Sequence, residues 1–150
     1  MRCYQIYLIE EQYARQYLGR EVLFYGLFQD YRNSSGAQTH IIGRQILYIT
    51  KEIPVKNLQE EMHRQLSYNQ TIKCKNGVYY VRINESKSRS KSTAKLEIHN
   101  RMLYISAEGS YDAETVLFEC LRKCEDSFIA IDIEHKRYGW LKPIKERNFI

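Results

Sequence analysis

Along the chain, apolar positions first alternate, then recur at helical spacing, then alternate again. Tyr4 to Ile9 alternates and is β-branched or aromatic, which predicts a first strand. Glu10 to Tyr31, EEQYARQYLGREVLFYGLFQDY, changes to a period of three to four and predicts two short helices. Gly19 fits the stop of the first helix and Arg20-Glu21 the restart. In the first helix Ala14 and Leu18 form a small apolar stripe, while Tyr13 and Tyr17, four apart, stand together on a neighbouring side. In the second, Leu23, Phe24, Leu27, Phe28 and Tyr31 predict a buried face. After an Asn33 to Gly36 loop, His40 to Thr50 carries five aliphatic residues and predicts a third helix. Pro54 suits the first turn of a fourth, which runs to about Leu66 with Leu58, Met62 and Leu66 on its apolar side.

From about Thr71 the alternation returns. Asn76-Gly77 between Ile72–Lys75 and Val78–Ile83 predicts a tight hairpin. A polar basic loop, Glu85 to Lys95, leads to a second hairpin, Lys95–His99 and Met102–Ala107, turning near Asn100. Tyr111 to Lys123 predicts a helix with Ala113, Leu117, Cys120, Leu121 and Cys124 inside. Asp112 and Glu114 lie in its first turn and Arg122 and Lys123 in its last, as the helix dipole favours. Ser127 to Ile133 predicts a last strand, and the tail from His135 has no clear period. The expected fold is α+β in one domain: a mostly antiparallel central sheet, with an N-terminal helical run and one C-terminal helix packed on it. The two single strands near the ends are expected to pair at its centre.

Composition narrows the class. The 150 residues are 43% apolar, enough for a core, and carry a net charge of +5. That charge is uneven: residues 32–101 hold thirteen basic against five acidic residues, and residues 102–134 two against eight. Such asymmetry suits an acidic partner without choosing protein over nucleic acid. No apolar run reaches the ~18 residues of a membrane span. The opening MRCYQIYLI is too short and polar for a secretory leader. Four scattered cysteines fit reduced thiols, so a cytoplasmic protein with no membrane partner is expected.

Catalytic patterns do not emerge. No phosphate-binding loop, dinucleotide fingerprint, nucleophile elbow or paired-histidine metal motif is present, and neither enzyme activity nor a cofactor is expected. Cys120 and Cys124 sit on an apolar helical stripe with no second ligand pair, so no metal site is expected. Asp112, Glu114 and Glu119 read as a solvated helix face. Glu114, His99 and Cys120 would be the first candidates of an undetected enzyme. Lys87, Arg89, Lys91 and Lys95, and a basic tail with Tyr138, Trp140 and Phe149, have the make-up of a nucleic-acid-binding module. No nucleic-acid motif accompanies them, and direct nucleic-acid contact is not expected. Tyr13 and Tyr17, flanked by Gln12, Arg15 and Gln16, instead suit a half-exposed protein-binding surface.

Several segments together resemble the sporulation inhibitor of replication family, SirA, of endospore-forming bacteria. They are YLIEE with YARQYLGRE (Tyr7 to Glu21), LFQDY (Leu27 to Tyr31), and RQILYIT followed by IP (Arg44 to Pro54). GSYDAETVLFECLRK (Gly109 to Lys123) and KRYGWLKPIKERNFI (Lys136 to Ile150) complete the set and are its most specific parts. Tyr68 to Lys95 resembles the family least. The resemblance implies a non-enzymatic regulator that binds domain I of the replication initiator DnaA and occludes its assembly surface. It implies a partner surface at Tyr13 and Tyr17, completed by Gln45 and Tyr48, with Arg15 and Gln16 beside them. Tyr13 departs from the family pattern, in which a ring without a hydroxyl is expected.

Overall fold

The computed structural model describes residues 1–84 and 91–144. Among the described residues eight strands form one antiparallel sheet. They are β1 (Arg2–Ile9), β2 (Thr50–Lys51), β3 (Ile72–Lys75), β4 (Val78–Asn84), β5 (Lys91–Ile98), β6 (Leu103–Glu108), β7 (Phe128–Asp132) and β8 (Arg137–Trp140). Five helices accompany them among the described residues: α1 (Glu11–Gln16), α2 (Val22–Asn33), α3 (Ala37–Ile49), α4 (Val55–Tyr68) and α5 (Asp112–Cys124). The strand order is β3-β4-β5-β6-β1-β7-β8, and the short β2 pairs with the end of β1. The first and last apolar strands thus do pair, with Ile6 opposite Ala130, but off the centre of the sheet, β7 lying next to the edge strand β8.

Alternation along β1 decides the layering. Tyr4, Ile6 and Leu8 face one core, joined by Leu58 and Met62 of α4 and by Ala113, Leu117 and Leu121 of α5. Ile9 and the half-buried Tyr7 face a second core with Ile129 and Ile131, covered by Ala14, Phe24, Tyr25 and Phe28. All five residues of β7 are buried, because helices cover both of its faces. The N-terminal helices therefore do not form one run. α1 to α3 cover one face, whereas α4 joins α5 on the other, with the chain passing along β2 to the buried Ile53 between them.

Other differences have local causes. In α2 the buried residues are Phe24, Tyr25 and Phe28, while Leu23 and Tyr31 are exposed. The Tyr31 ring instead lies over α3 at Gly43, where an added Cβ would come within 3.2 Å of it. The expected basic loop is shorter, since Lys91 and Lys95 already belong to β5; Lys87 and Arg89 lie outside the described residues. Part of the unpatterned tail is the edge strand β8, and the remainder, residues 145–150, also lies outside them. The first hairpin forms as expected, with φ of 55° at Asn76 and 77° at Gly77. Gly109 is required by close approach: at φ of +82°, a Cβ there would sit 1.8 Å from the Lys91 carbonyl oxygen. That turn brings Ser92 under α5, where its hydroxyl accepts the Ala113 N–H (2.9 Å) and donates to the Ser110 carbonyl (2.7 Å). A serine from another strand so satisfies an orphan donor of the helix start.

Glu114 is not on a solvated face. It is 1% exposed. Arg2 holds it, with Nε donating to both carboxylate oxygens at 2.9 and 3.1 Å. Arg2 in turn stacks on the Tyr111 ring, 4.4 Å from its centre. Nearby, buried Asp132 accepts from Arg137 (2.8 Å) and from the His135 N–H (3.2 Å), and Arg137 also donates to the Tyr4 hydroxyl (3.2 Å). Burial alone would raise the Asp132 carboxyl, yet the hydrogen bonds from Arg137 and His135 hold it below the usual carboxylate range.

Candidate partner-binding site

α1 and α3 meet where β1 ends. The Glu10 N–H donates to the Ile49 carbonyl (2.8 Å), tying the start of one helix to the end of the other. The last turn of α3 is closed by Arg101, whose guanidinium donates to the carbonyls of Leu47 (3.1 Å) and Thr50 (2.8 Å) and to the Thr50 hydroxyl. A cation at a helix C-terminus matches both its orphan acceptors and its dipole. These contacts fix α3 although Ile42 is its only fully buried residue.

The consequence is an apolar helix left largely uncovered. Ile41 is 58% exposed, Leu47 54% and Tyr48 73%. Ile41, Gln45 and Tyr48, at i, i+4 and i+7, share one side of the helix, and Gln45 is exposed between the other two. Across the α1–α3 junction the Tyr48 ring meets Tyr13, their centres 5.7 Å apart. Hydrogen bonding with the Tyr48 side chain that favours the neutral phenol, then burial, pushes Tyr13 above its ordinary value.

Tyr17 occupies the C-cap of α1 rather than its last turn. Its ring stands edge-on to Phe24 at 5.6 Å, and the Arg20 guanidinium lies 5.4 Å from its centre. Tyr13 and Tyr17 are both half-buried, with one side on the second core and the other open. Arg15 and Gln16 are exposed beside them, and Arg15 pairs with Glu11 on the surface. The structure thus brings Tyr13 and Tyr48 into contact, with Tyr17, Arg15 and Gln16 on the same short helix and its cap. Gln45 sits one turn from Tyr48 and is exposed.

Sequence reasoning missed three contributors. Ile41 extends the α3 stripe, and its spacing to Gln45 and Tyr48 was the available signal. Glu21 and Trp140 position Tyr17: the Glu21 carboxylate accepts both the Gly19 N–H (3.0 Å) and the Trp140 indole N–H (3.1 Å). Burial would raise that carboxyl, but the Gly19 and Glu21 N–H groups and Trp140 bring it below the ordinary value. Trp140 also stacks edge-on against Phe24 at 5.8 Å, so the ring beneath Tyr17 is braced from β8. No local pattern links residue 21 to residue 140.

The enzyme candidates do not converge. Glu114 is occupied by Arg2, His99 is exposed at the β5–β6 turn, and burial pushes the Cys120 thiol up, away from the reactive thiolate. Among the described residues no cluster of three metal-ligating side chains occurs, and no helix is long and apolar enough to cross a membrane.

Comparison with known proteins agrees with the resemblance read from the sequence. The family model described as "Sporulation inhibitor of replication protein SirA" matches residues 2–145. A protein of that name from Bacillus subtilis (strain 168) is 40% identical over 154 residues, covering 99% of this chain and 99% of its own.

Proposed function

The chain belongs to the sporulation inhibitor of replication family, SirA, and from that premise we propose that it restrains chromosome replication during sporulation by binding domain I of the initiator DnaA. The binding face in this reading is Tyr13 and Tyr17 with Tyr48 and Gln45, rimmed by Arg15 and Gln16 and extended by Ile41. The protein acts in the cytoplasm by occlusion, covering the surface domain I needs for assembly, and no covalent chemistry is involved. The observation that carries the proposal is the aromatic and aliphatic stripe left open across two helices that are pinned at their junction. Rigid half-exposed tyrosines beside polar groups lose little entropy on association and fill partner pockets well. The Tyr13 and Tyr48 rings lie in contact, 5.7 Å between centres, so each helps to order the other before the partner arrives.

Mixing the purified protein with DnaA domain I and following amide hydrogen exchange tests this. The expected result is a defined complex in which α1 and α3 amides exchange more slowly. A complex that protects other elements, or no complex at all, contradicts the proposal.

A further inference from the structure

The sheet has a second uncovered face, remote in character from the helix stripe. α4 and α5 cover one side of β3 to β6, through Tyr79, Val81, Leu96 and Ile105. The helices on the opposite side rest on β1 and β7, and no residue of β3 to β6 belongs to that second core. Four antiparallel strands thus present their alternate positions to solvent. Five of those positions are cationic: Lys73, Lys75, Arg82, Lys91 and Lys95. Two carboxylates share the face, Glu97 and Glu108, and Glu97 lies 3.9 Å from Lys95.

The strand register arranges these groups. Lys73, Tyr80 and Lys95 stand directly opposite one another on β3, β4 and β5, so a 42% exposed ring is flanked by two ammonium groups. Arg82 follows Tyr80 on the same strand face, about 7 Å along. Tyr104, half-buried, lies opposite Glu97 on β6. A shallow cavity of about 340 Å³ runs over Tyr80, Arg82, Thr93, Lys95 and Ser106, with the Glu108 carboxylate at the β6 end of its lining. The excess positive charge of residues 32–101 is in part this surface.

We infer that this face binds single-stranded nucleic acid, Tyr80 stacking on a base while Lys73, Arg82 and Lys95 hold the flanking phosphates. Phosphates complement the charge, and the exposed ring asks for a planar partner that an acidic peptide lacks. A duplex hides its base faces, so an unpaired strand is the occupant that uses both features.

Anisotropy of fluorescein-labelled dT20 with the full chain at 50 mM salt reads the binding. The expected result is saturable binding that weakens steeply with salt and is tighter than to a duplex of equal length. Tyr80→Ala should weaken it about fivefold or more. Arg82→Glu should weaken it more than Lys56→Glu, which makes the same charge change on the exposed side of α4. All three positions are at the surface, so melting curves should stay unchanged. No binding, equal binding of duplex, equal displacement by polyglutamate, or equal effects of Arg82→Glu and Lys56→Glu would each overturn the inference. So would binding that Tyr80→Ala spares and that is lost when Lys87 and Arg89 become serine.

Discussion

Two tyrosine clusters on opposite sides of the sheet are built from similar residues and are finished differently. Around β1, α5 and β8, Tyr4 and Tyr111 are locked by Arg2, Arg137, Glu114 and Asp132, with both carboxylates buried and every charge answered. Burial, with hydrogen bonding to Glu114, pushes the Tyr4 phenol up to about 12. Around α1 and α3, Tyr13 and Tyr17 rest on a core and Tyr48 meets Tyr13 outside it; the one guanidinium stacked on these rings among the described residues is Arg20, at the edge of Tyr17. The first cluster spends its rings on holding three elements together. The second leaves the outer sides of its rings open. Exposure alone does not separate the two, since Tyr111 is itself exposed; what separates them is whether neighbouring side chains already use the ring.

The comparison is broken most forcefully from the buried side. Glu114→Ala leaves Arg2 unanswered and should cost about 3–5 kcal/mol, seen as a large fall in thermal midpoint, whereas the paired change Arg2→Met with Glu114→Leu should recover most of it. Tyr17→Ala removes the proposed anchor and should weaken association with initiator domain I about thirtyfold or more in a calorimetric titration. Because Tyr17 also covers Phe24, that variant should lose about 1 kcal/mol of stability without unfolding. Acid probes the same contrast. Asp132 is held below its unfolded value, so its contribution is present above the ordinary carboxylate range near 4 and is lost as pH falls through its folded value. Thermal midpoints measured from pH 6 to 3 should therefore fall less for Asp132→Asn, which starts lower, than for the parent. The smallest effect is expected for Tyr13→Phe, which keeps the ring contact with Tyr48 and should change affinity by less than about tenfold.

Local order was readable from residue spacing because helices and hairpins are written in short range. Asn76-Gly77, the α5 stripe and the apolar run of β7 each carry their own signal. What escaped reading is what depends on partners far along the chain. Glu114 looks like one more acid in a helix's first turn until Arg2, 112 residues away, folds beside it. β8 shows no alternation because it is an edge strand with Arg137 and Tyr138 exposed. The side of the sheet chosen by each helix was equally hidden, since an apolar stripe tells that a helix packs and not on which face. Tyr13, Tyr17 and Tyr48 were singled out through spacing and family resemblance together, and the structure shows where they stand. Glu21 and Trp140, which brace them, were legible only in three dimensions.

Tyr48→Ala tests the central claim most directly, because that side chain is 73% exposed and supports no core. A titration of the variant against initiator domain I, beside its melting curve, should show affinity lowered at least about tenfold and a thermal midpoint within about 2 °C of the parent. Unchanged affinity at unchanged stability would show that the open rings of α1 and α3 are not where the partner binds.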